Sequence, residues 1–510
     1  MLPARRKGEK NMSYLEDLKT EADYTCTLNG AKTHGSTGKA CLDFFAVSGG
    51  MRYRKPADQI NLFDRAYIEM PDLAMKLLFH IRDIRGGMGE RKLFRTLLRH
   101  VAFSWPESAG KNAQYIAEFG RWDDVLCLLG TPVEKLAVQA VRKQLEEDRE
   151  ALQRREAGEE DAHISLLAKW LPSDNASSPR TRQAACRLIK AMGMEQKDYR
   201  RLVTALRTRI GLVEHQLTGK HPEKISYEAV PAQAMLKYRD AFMRRDGDRY
   251  ADYLRDVRDG VRQIHTGTLF PYEVLRPFFK GGYWCRNDPQ GMNTLELLWK
   301  HLPGGVGNVN AISVVDTSGS MYCSQGPLIP ALVSQAMGLY CAERCEGLFH
   351  NHMITFESTP HLVEIHGSNL RDKLKYISTL PWGNSTNLEA VFDLILTTAV
   401  KGRVKQEELP QVIYIFSDME FNCCMANADQ TVYENARERF ETAGYQMPAV
   451  VFHNVNSWQM QTPVKAHTRG TALNSGASTS MMEHRFDGNI TPMGHMLRVL
   501  NSERYAMINA

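Results

Sequence analysis

The residues with the clearest chemical potential sit at the end of an apolar run. Residues 310–321 read NAISVVDTSGSM, so that Ile312 to Val315 lead straight into Asp316, Thr317, Ser318, Gly319 and Ser320. A continuous apolar, β-branched run is how a fully buried strand of a parallel sheet reads. In open α/β sheets, ligands collect beyond the carboxyl ends of the strands. One carboxylate (Asp316) and two hydroxyls (Ser318, Ser320) at alternate positions of one turn form an all-oxygen donor set, which suits a hard cation such as Mg²⁺. The competing reading is a cluster of helix-capping side chains with no metal.

Four other groups invite a chemical reading. The window 180–209 holds nine cations (Arg180, Arg182, Arg187, Lys190, Lys197, Arg200, Arg201, Arg207, Arg209) against Glu195 and Asp198. Such a cluster either neutralises nucleic-acid phosphates or forms a solvated, internally paired helix face. The glycine-rich stretch 84–91 (IRGGMGER) follows no apolar strand and ends in no Gly-Lys-Ser/Thr, so a helix–helix turn accounts for it better than a nucleotide loop. His350, His352, His361 and His366 alternate around two predicted strands and read as strand-surface histidines unless facing pairs meet as a metal cluster. Tyr283 and Trp284 either stack a base or pack at a domain junction. No histidine is placed to activate Ser318 or Ser320, and the expectation is of a binding protein, not an enzyme.

The elements that must position these residues divide the chain in two. At 510 residues it exceeds one ordinary core. Residues 1–305 carry a net charge of +10 and residues 306–510 a net charge of −5; a basic front suits a polyanion and an acidic rear suits a cation. Residues 1–39 are expected to be a mobile, loop-like segment. From 40 to 305 helix follows helix (40–45 onward, 62–67, 73–81, 91–103, 136–153, 164–171, 179–192, 197–217), the pattern of an α-solenoid with degenerate repeats. In 244–262 arginines and aspartates interleave, which favours a self-paired solvated face. From 306 to 510 strands (311–315, 349–356, 361–366, 411–416, 449–454, 470–473) alternate with helices (328–345, 370–380, 388–400, 430–443, 493–501), the sign of a doubly wound parallel sheet. No apolar run approaches membrane-spanning length, no secretory signal is read at the start, and the ten cysteines form no zinc-spaced pairs. A cytoplasmic protein with reduced thiols is expected.

The Asp-x-Ser-x-Ser stretch resembles the metal-ion-dependent adhesion site of a von Willebrand factor A domain. The layout, helical region first and this domain second, resembles the TROVE (Ro autoantigen) proteins. It is closer still to a family of uncharacterised plant, fungal, bacterial and giant-virus proteins catalogued as a domain of unknown function, through IRDIRGGMGER, FGRWDDVL, LAKWLPS, YRRLVTALRTRIGLVEHQL, LFPYEVL, VVDTSGSM, WGNSTNLEAVFDLIL and IFSDMEF. The resemblance implies HEAT-like repeats, with ring closure left open, followed by an A-type domain. It adds Thr386, in the stretch 383–387, and Asp418, after the run 412–416, to Asp316, Ser318 and Ser320 as ligands of Mg²⁺ or Mn²⁺. It implies RNA, structured or single-stranded and small non-coding, as the partner, in a ribonucleoprotein. The alternative is a metal-dependent assembly scaffold, in which a partner's Asp or Glu completes the metal shell. No membrane partner is expected.

Overall fold

The computed structural model describes residues 18–19 and 22–510, apart from 160, 220, 286–287, 306–308, 324–327, 381, 384, 424–429 and 483–485. Residues 1–17 and 20–21 of the expected N-terminal mobile segment lie outside the described residues, as do Asn384 and Cys424.

Residues 22–39 depart from the loop expectation. Strands β1 (Tyr24–Cys26) and β2 (Lys32–His34) form an antiparallel hairpin, and the hairpin is docked. It bridges Gly30 to Asn422 and His34 to Thr462, and Lys465 pairs with Asp23. A stretch rich in Gly, Ser and Thr has no periodic local signal, so only its partner nearly 400 residues downstream reveals this order.

Helices occupy the chain from Ala40–Ser48 to Met292–Lys300, in two cores. The first gathers apolar side chains from Cys41 to Leu206. The second runs from Val213 to Leu302 and continues into one face of the sheet. The expected single helix over 197–217 is two, Gln196–Ile210 and Val213–Thr218. Gly211, at φ +66°, breaks it where the chain changes cores. The 84–91 stretch is a turn between Pro71–Arg82 and Arg91–Ser104, tied by Met88 N–H to His80 O and Glu90 N–H to Ile81 O. Gly89 lies against Phe270, whose ring a Cβ there would approach to 2.6 Å, so the first helices and the late ones meet. Strands β3 (Phe279–Lys280) and β4 (Tyr283–Trp284) form a small hairpin at the junction. Tyr283 stacks on Tyr322 and Trp284 on Phe278, the packing alternative.

Then come β5 (Ala311–Asp316), β6 (His352–Phe356), β7 (Leu362–Glu364), β8 (Val412–Ser417), β9 (Ala449–Asn454) and β10 (Thr471–Ser475). Their order is β10-β9-β8-β5-β6-β7, parallel except for the β7 edge. β5, β8 and β9 are buried throughout. Alternate residues enter different cores: Tyr414 and Phe416 face one, Ile413 and Ile415 the other. Helix Pro330–Arg344 covers the first face; Gly338 lets it sit on Val315, which a Cβ would approach to 2.3 Å. Helices Leu388–Gly402 and Val432–Thr442 cover the second.

The C-terminal segment crosses back. Helix Pro492–Leu500 and Tyr505 join the first helical core. Tyr505 Oη bonds His80 Nδ1 at 2.9 Å and Asp83 Oδ2 at 3.0 Å, and Arg504 pairs with Asp83. Burial pushes Asp83 up, but Arg504 and the local backbone N–H groups more than offset this and leave it below the usual carboxylate range.

Two predictions follow from this packing. The Ala40–Ser48 helix approaches β10 so closely that a Cβ at Gly49 would lie 2.4 Å from the Ser475 carbonyl carbon. Gly49→Ala should lower the urea or thermal unfolding free energy by about 1–3 kcal/mol; an unchanged midpoint contradicts the contact. His453 is fully buried and is driven down to about 4, although its Nε2 hydrogen bond to the Gly476 carbonyl opposes the shift. Between pH 6.5 and 4 the unfolded chain therefore binds a proton there that the folded chain does not, and stability falls on acidification. From pH 7 to pH 5 the native protein should lose roughly 2 kcal/mol more than His453→Gln. Equal losses would contradict a neutral buried imidazole.

Candidate metal centre

The sheet reverses its winding between β5 and β8: the chain leaves β5 for β6 and β7 on one side and returns at β8 on the other. The crevice at the carboxyl end of that pair is where α/β sheets place ligands. Asp316 ends β5 and Ser417 ends β8, and the Ser417 hydroxyl donates to Asp316 Oδ2 at 2.5 Å. Ser318 N–H donates to Asp316 Oδ1 at 2.8 Å, which curls the turn so that the Ser318 and Ser320 hydroxyls lie 3.2 Å apart. Ser334, on the covering helix, accepts from Asp316 N–H (3.0 Å) and donates to the Phe416 carbonyl (2.8 Å), clamping the two strand ends.

Asp418 follows directly. Its Oδ1 accepts from Glu420 N–H at 3.3 Å, while its buried Oδ2 has no partner among the described residues. Burial, and then the charge of Asp316, push Asp418 up to about 7, against the pull of the Ser320 hydroxyl and the Glu420 N–H. Burial raises Asp316 as well. Met419 then adopts φ +67°, a strained left-handed conformation for a non-glycine residue. Thr386 donates to the Glu420 carbonyl (2.6 Å) and accepts from Asn29 Nδ2 (3.3 Å). Thus Asp316, Ser318, Ser320 and Asp418 interact directly, and Thr386 joins them through the 418–422 loop.

The donor chemistry fits a divalent cation. Two buried carboxylates lie side by side, no Lys or Arg pairs with either among the described residues, and one oxygen is left bare. A buried charge without compensation is strongly unfavourable. A hard cation would neutralise both acids and satisfy Asp418 Oδ2. The N-capping alternative is not what the Ser318 side chain does: it stands at the N-cap of the turn Gly319–Tyr322 but makes no capping hydrogen bond. Among the described residues no three His, Cys, Asp or Glu side chains gather as a metal site; the present set has only two carboxylates and completes itself with hydroxyls. Of the four histidines expected on strand surfaces only His352 lies in a strand, its ring on the His350 carbonyl, while His361 meets Glu357 and the His350 ring meets the Cys345 carbonyl.

Several residues of the site were not legible. Ser417 and Ser334 hold Asp316 by geometry that no motif announces. Asn29 and Glu420 are a second pair: Asn29 also bonds the Glu420 carbonyl, and Glu420 Oε2 accepts Leu28 N–H. The hairpin tip therefore covers the Thr386 side, and exposure remains at Gly319 and Ser320.

Of the nine cations in the basic window, four are engaged internally. Arg187 pairs with Glu134 and Arg200 with Asp174. Arg182 caps the carbonyls of Ala176 and Ser177. Half-buried Arg207 holds the carbonyls of Ala168 and Leu171. Arg180, Lys190, Lys197, Arg201 and Arg209 are exposed and make no ion pair among the described residues. The interleaved arginines pair locally as expected, Arg249 with Asp246 and Arg255 with Asp252.

Comparison with known proteins follows the same division. Residues 27–142 and 137–306 match the model of a domain of unknown function (DUF2828), and residues 310–496 match that of another (DUF7788). Uncharacterized protein L728 of Acanthamoeba polyphaga mimivirus is 28% identical over 515 residues, covering 94% of this chain and 87% of its own. The Ro (RSR) protein of Deinococcus radiodurans is a structural neighbour with a TM-score of 0.47 at 14% identity, covering 92% of this chain and 100% of that one.

If the bare carboxylate oxygen belongs to a metal site, Mg²⁺ or Mn²⁺ added to EDTA-treated protein at about 100 times Kd should raise its unfolding free energy by roughly 2.7 kcal/mol. Asp418→Asn should abolish that response and stabilise the metal-free protein, because it removes a buried charge beside Asp316. Loss of stability in the metal-free variant, or no response of the native protein to either ion, would contradict the assignment.

Proposed function

The chain belongs to the DUF2828 family, and from that premise we propose that it is a non-catalytic, cytoplasmic RNA-binding protein with a divalent-cation site in its second half. In this reading the helices are degenerate HEAT-like repeats. The sheet domain is of von Willebrand factor A type and holds Mg²⁺ or Mn²⁺ through Asp316, Ser318, Ser320, Thr386 and Asp418. The observation that carries the RNA reading is the set of five exposed cations without acid partners on helices Pro179–Met192 and Gln196–Ile210. Lys197 and Arg201 stand one turn apart on the same face. Cations left unneutralised by their own fold are available to phosphates, and each phosphate contact releases counterions. Among the described residues no helix is long and apolar enough to cross a membrane.

The metal would supply charge neutralisation and an electrophilic anchor for a ligand oxygen. The protein's part is to hold that anchor dry and rigid: Ser334 and Ser417 fix Asp316, and the hairpin fixes Thr386. A second reading, a metal-dependent assembly scaffold, is favoured by the exposure of the site at Gly319 and Ser320, where a partner's carboxylate has room to approach.

Labelled single-stranded and hairpin RNAs, titrated by fluorescence anisotropy, test the first reading. The affinity should fall with salt at a log–log slope of about −3.5 for single strands and about −4.5 for duplex stems if the five cations are used. Charge reversal at Lys197 and Arg201 should weaken binding by about tenfold or more, at roughly 1 kcal/mol or so per lost contact. Arg207 is a poor probe, since its reversal would break the Ala168 and Leu171 carbonyl contacts. Salt-insensitive binding, or none, would contradict RNA recognition. A protein partner captured with Mg²⁺ and lost with EDTA would support the scaffold reading instead.

A further inference from the structure

The hairpin of β1 and β2 is fastened to the sheet half at both of its ends. Its base is tied to the loop after β9. Thr33 Oγ1 donates to the Thr462 carbonyl at 2.8 Å, His34 and Thr462 exchange backbone hydrogen bonds, and Lys465 pairs with Asp23. Its tip is tied to the loop after β8. Thr27 Oγ1 donates to the Phe421 carbonyl (2.6 Å) and Leu28 N–H to Glu420 Oε2 (2.7 Å). Asn29 Nδ2 donates to the Glu420 carbonyl (2.6 Å) and to Thr386 Oγ1 (3.3 Å), a residue 357 positions away in the chain.

Two of these contacts bear on a cation. A hydroxyl has one proton and two lone pairs. Thr386 gives its proton to the Glu420 carbonyl at 2.6 Å, with Asn422 Oδ1 as the longer alternative at 3.1 Å, and one lone pair takes the Asn29 amide. A single lone pair is left, and Asn29 restricts its direction. A hard metal ion, or a water bound to it, needs an oxygen lone pair of this kind. Glu420 makes the second contact. It is a third buried acid, 1% exposed, and its charge joins that of Asp316 in opposing the ionisation of Asp418. Among the described residues no Lys or Arg pairs with it; its oxygens take the Leu28 N–H and Gln461 Nε2 (2.8 Å). A buried carboxylate stripped of such a donor is strongly destabilised, so the Leu28 amide makes Glu420 a latch for the hairpin.

We propose that the hairpin is a positioning clip for the divalent cation: Glu420 latches its tip, Asn29 sets the Thr386 hydroxyl, and ion binding and hairpin docking strengthen one another. The inference rests on the divalent-cation reading above. It adds to that reading a positioning residue, Asn29, outside the ligand set, and a reason for the first ordered strands of the chain to reach the far end of the sheet.

Titration of the full-length protein with Mn²⁺, followed by the electron paramagnetic resonance of the free ion, tests this together with hydrogen exchange of the 24–34 segment. Asn29→Ala should weaken Mn²⁺ binding by about tenfold, the lower end of what the outer-shell partners of a metal contribute. In a Thr386→Ala background the same substitution should have no further effect, because the hydroxyl it positions is gone. Mn²⁺ should slow exchange of the hairpin amides, since coupling between two equilibria is reciprocal. Lys465→Ala loosens the base of the hairpin without touching Thr386 and should weaken Mn²⁺ severalfold, so the test stays informative if Asn29→Ala misfolds. Native-like Mn²⁺ affinity in both variants, an equal loss from Asn29→Ala in the Thr386→Ala background, or hairpin exchange indifferent to Mn²⁺ would overturn the clip and leave the cation reading standing. No Mn²⁺ binding by the native protein would overturn both.

Discussion

Two carboxylates placed side by side in a dry crevice are the constraint on which the rest of the structure turns. Asp316 and Asp418 are almost fully buried, and no Lys or Arg among the described residues meets them. The surroundings do not relieve the repulsion; they enforce it. Ser417, Ser334 and the Ser318 N–H hold Asp316 in place, and the strained Met419 backbone holds the turn after Asp418. Strain and buried charge kept together in this way are what make the crevice the candidate site.

The fold brings distant parts of the chain to that crevice. The hairpin at 24–34 seals the Thr386 side through Asn29 and Leu28, and the first helix packs on β10 across Gly49. The last residues return to the first helical core through Tyr505. The helical half and the sheet half are interlocked at both ends of the sequence, not joined by one linker. A site built from segments so far apart is positioned by tertiary packing, and disturbing the hairpin disturbs Thr386. This closure leaves exposed Gly319 and partly exposed Ser320 as the open side of the candidate set.

Much of this was readable from residue order where local physics decides. The strand ending at Asp316, the one ending at Ser417 and the one at 449–454 are continuous apolar runs, and each forms within a residue of its expected bounds. The helix at 179–192 has Pro at its start and Gly after its end, both explicit signals. The failures come where tertiary contact decides. The hairpin at 24–34 carries no periodicity. The break at Gly211 looks like one tolerated glycine in a long helical pattern. The basic window reads as nine equivalent cations, but Arg207, Arg187, Arg200 and Arg182 serve the fold, and only their partners at 134 and 168–177 show it. The inclusion of Asp418 in the candidate set rests on resemblance, and its bare oxygen is visible only in three dimensions.

The central claim is that one divalent ion belongs among Asp316, Ser318, Ser320, Thr386 and Asp418. The most direct measurement is anomalous diffraction from crystals of the protein grown with Mn²⁺. The account predicts a single strong anomalous peak within coordination distance of the two serine hydroxyls and adjacent to both carboxylates. A crevice holding only water at saturating Mn²⁺, or a peak elsewhere on the molecule, would contradict it.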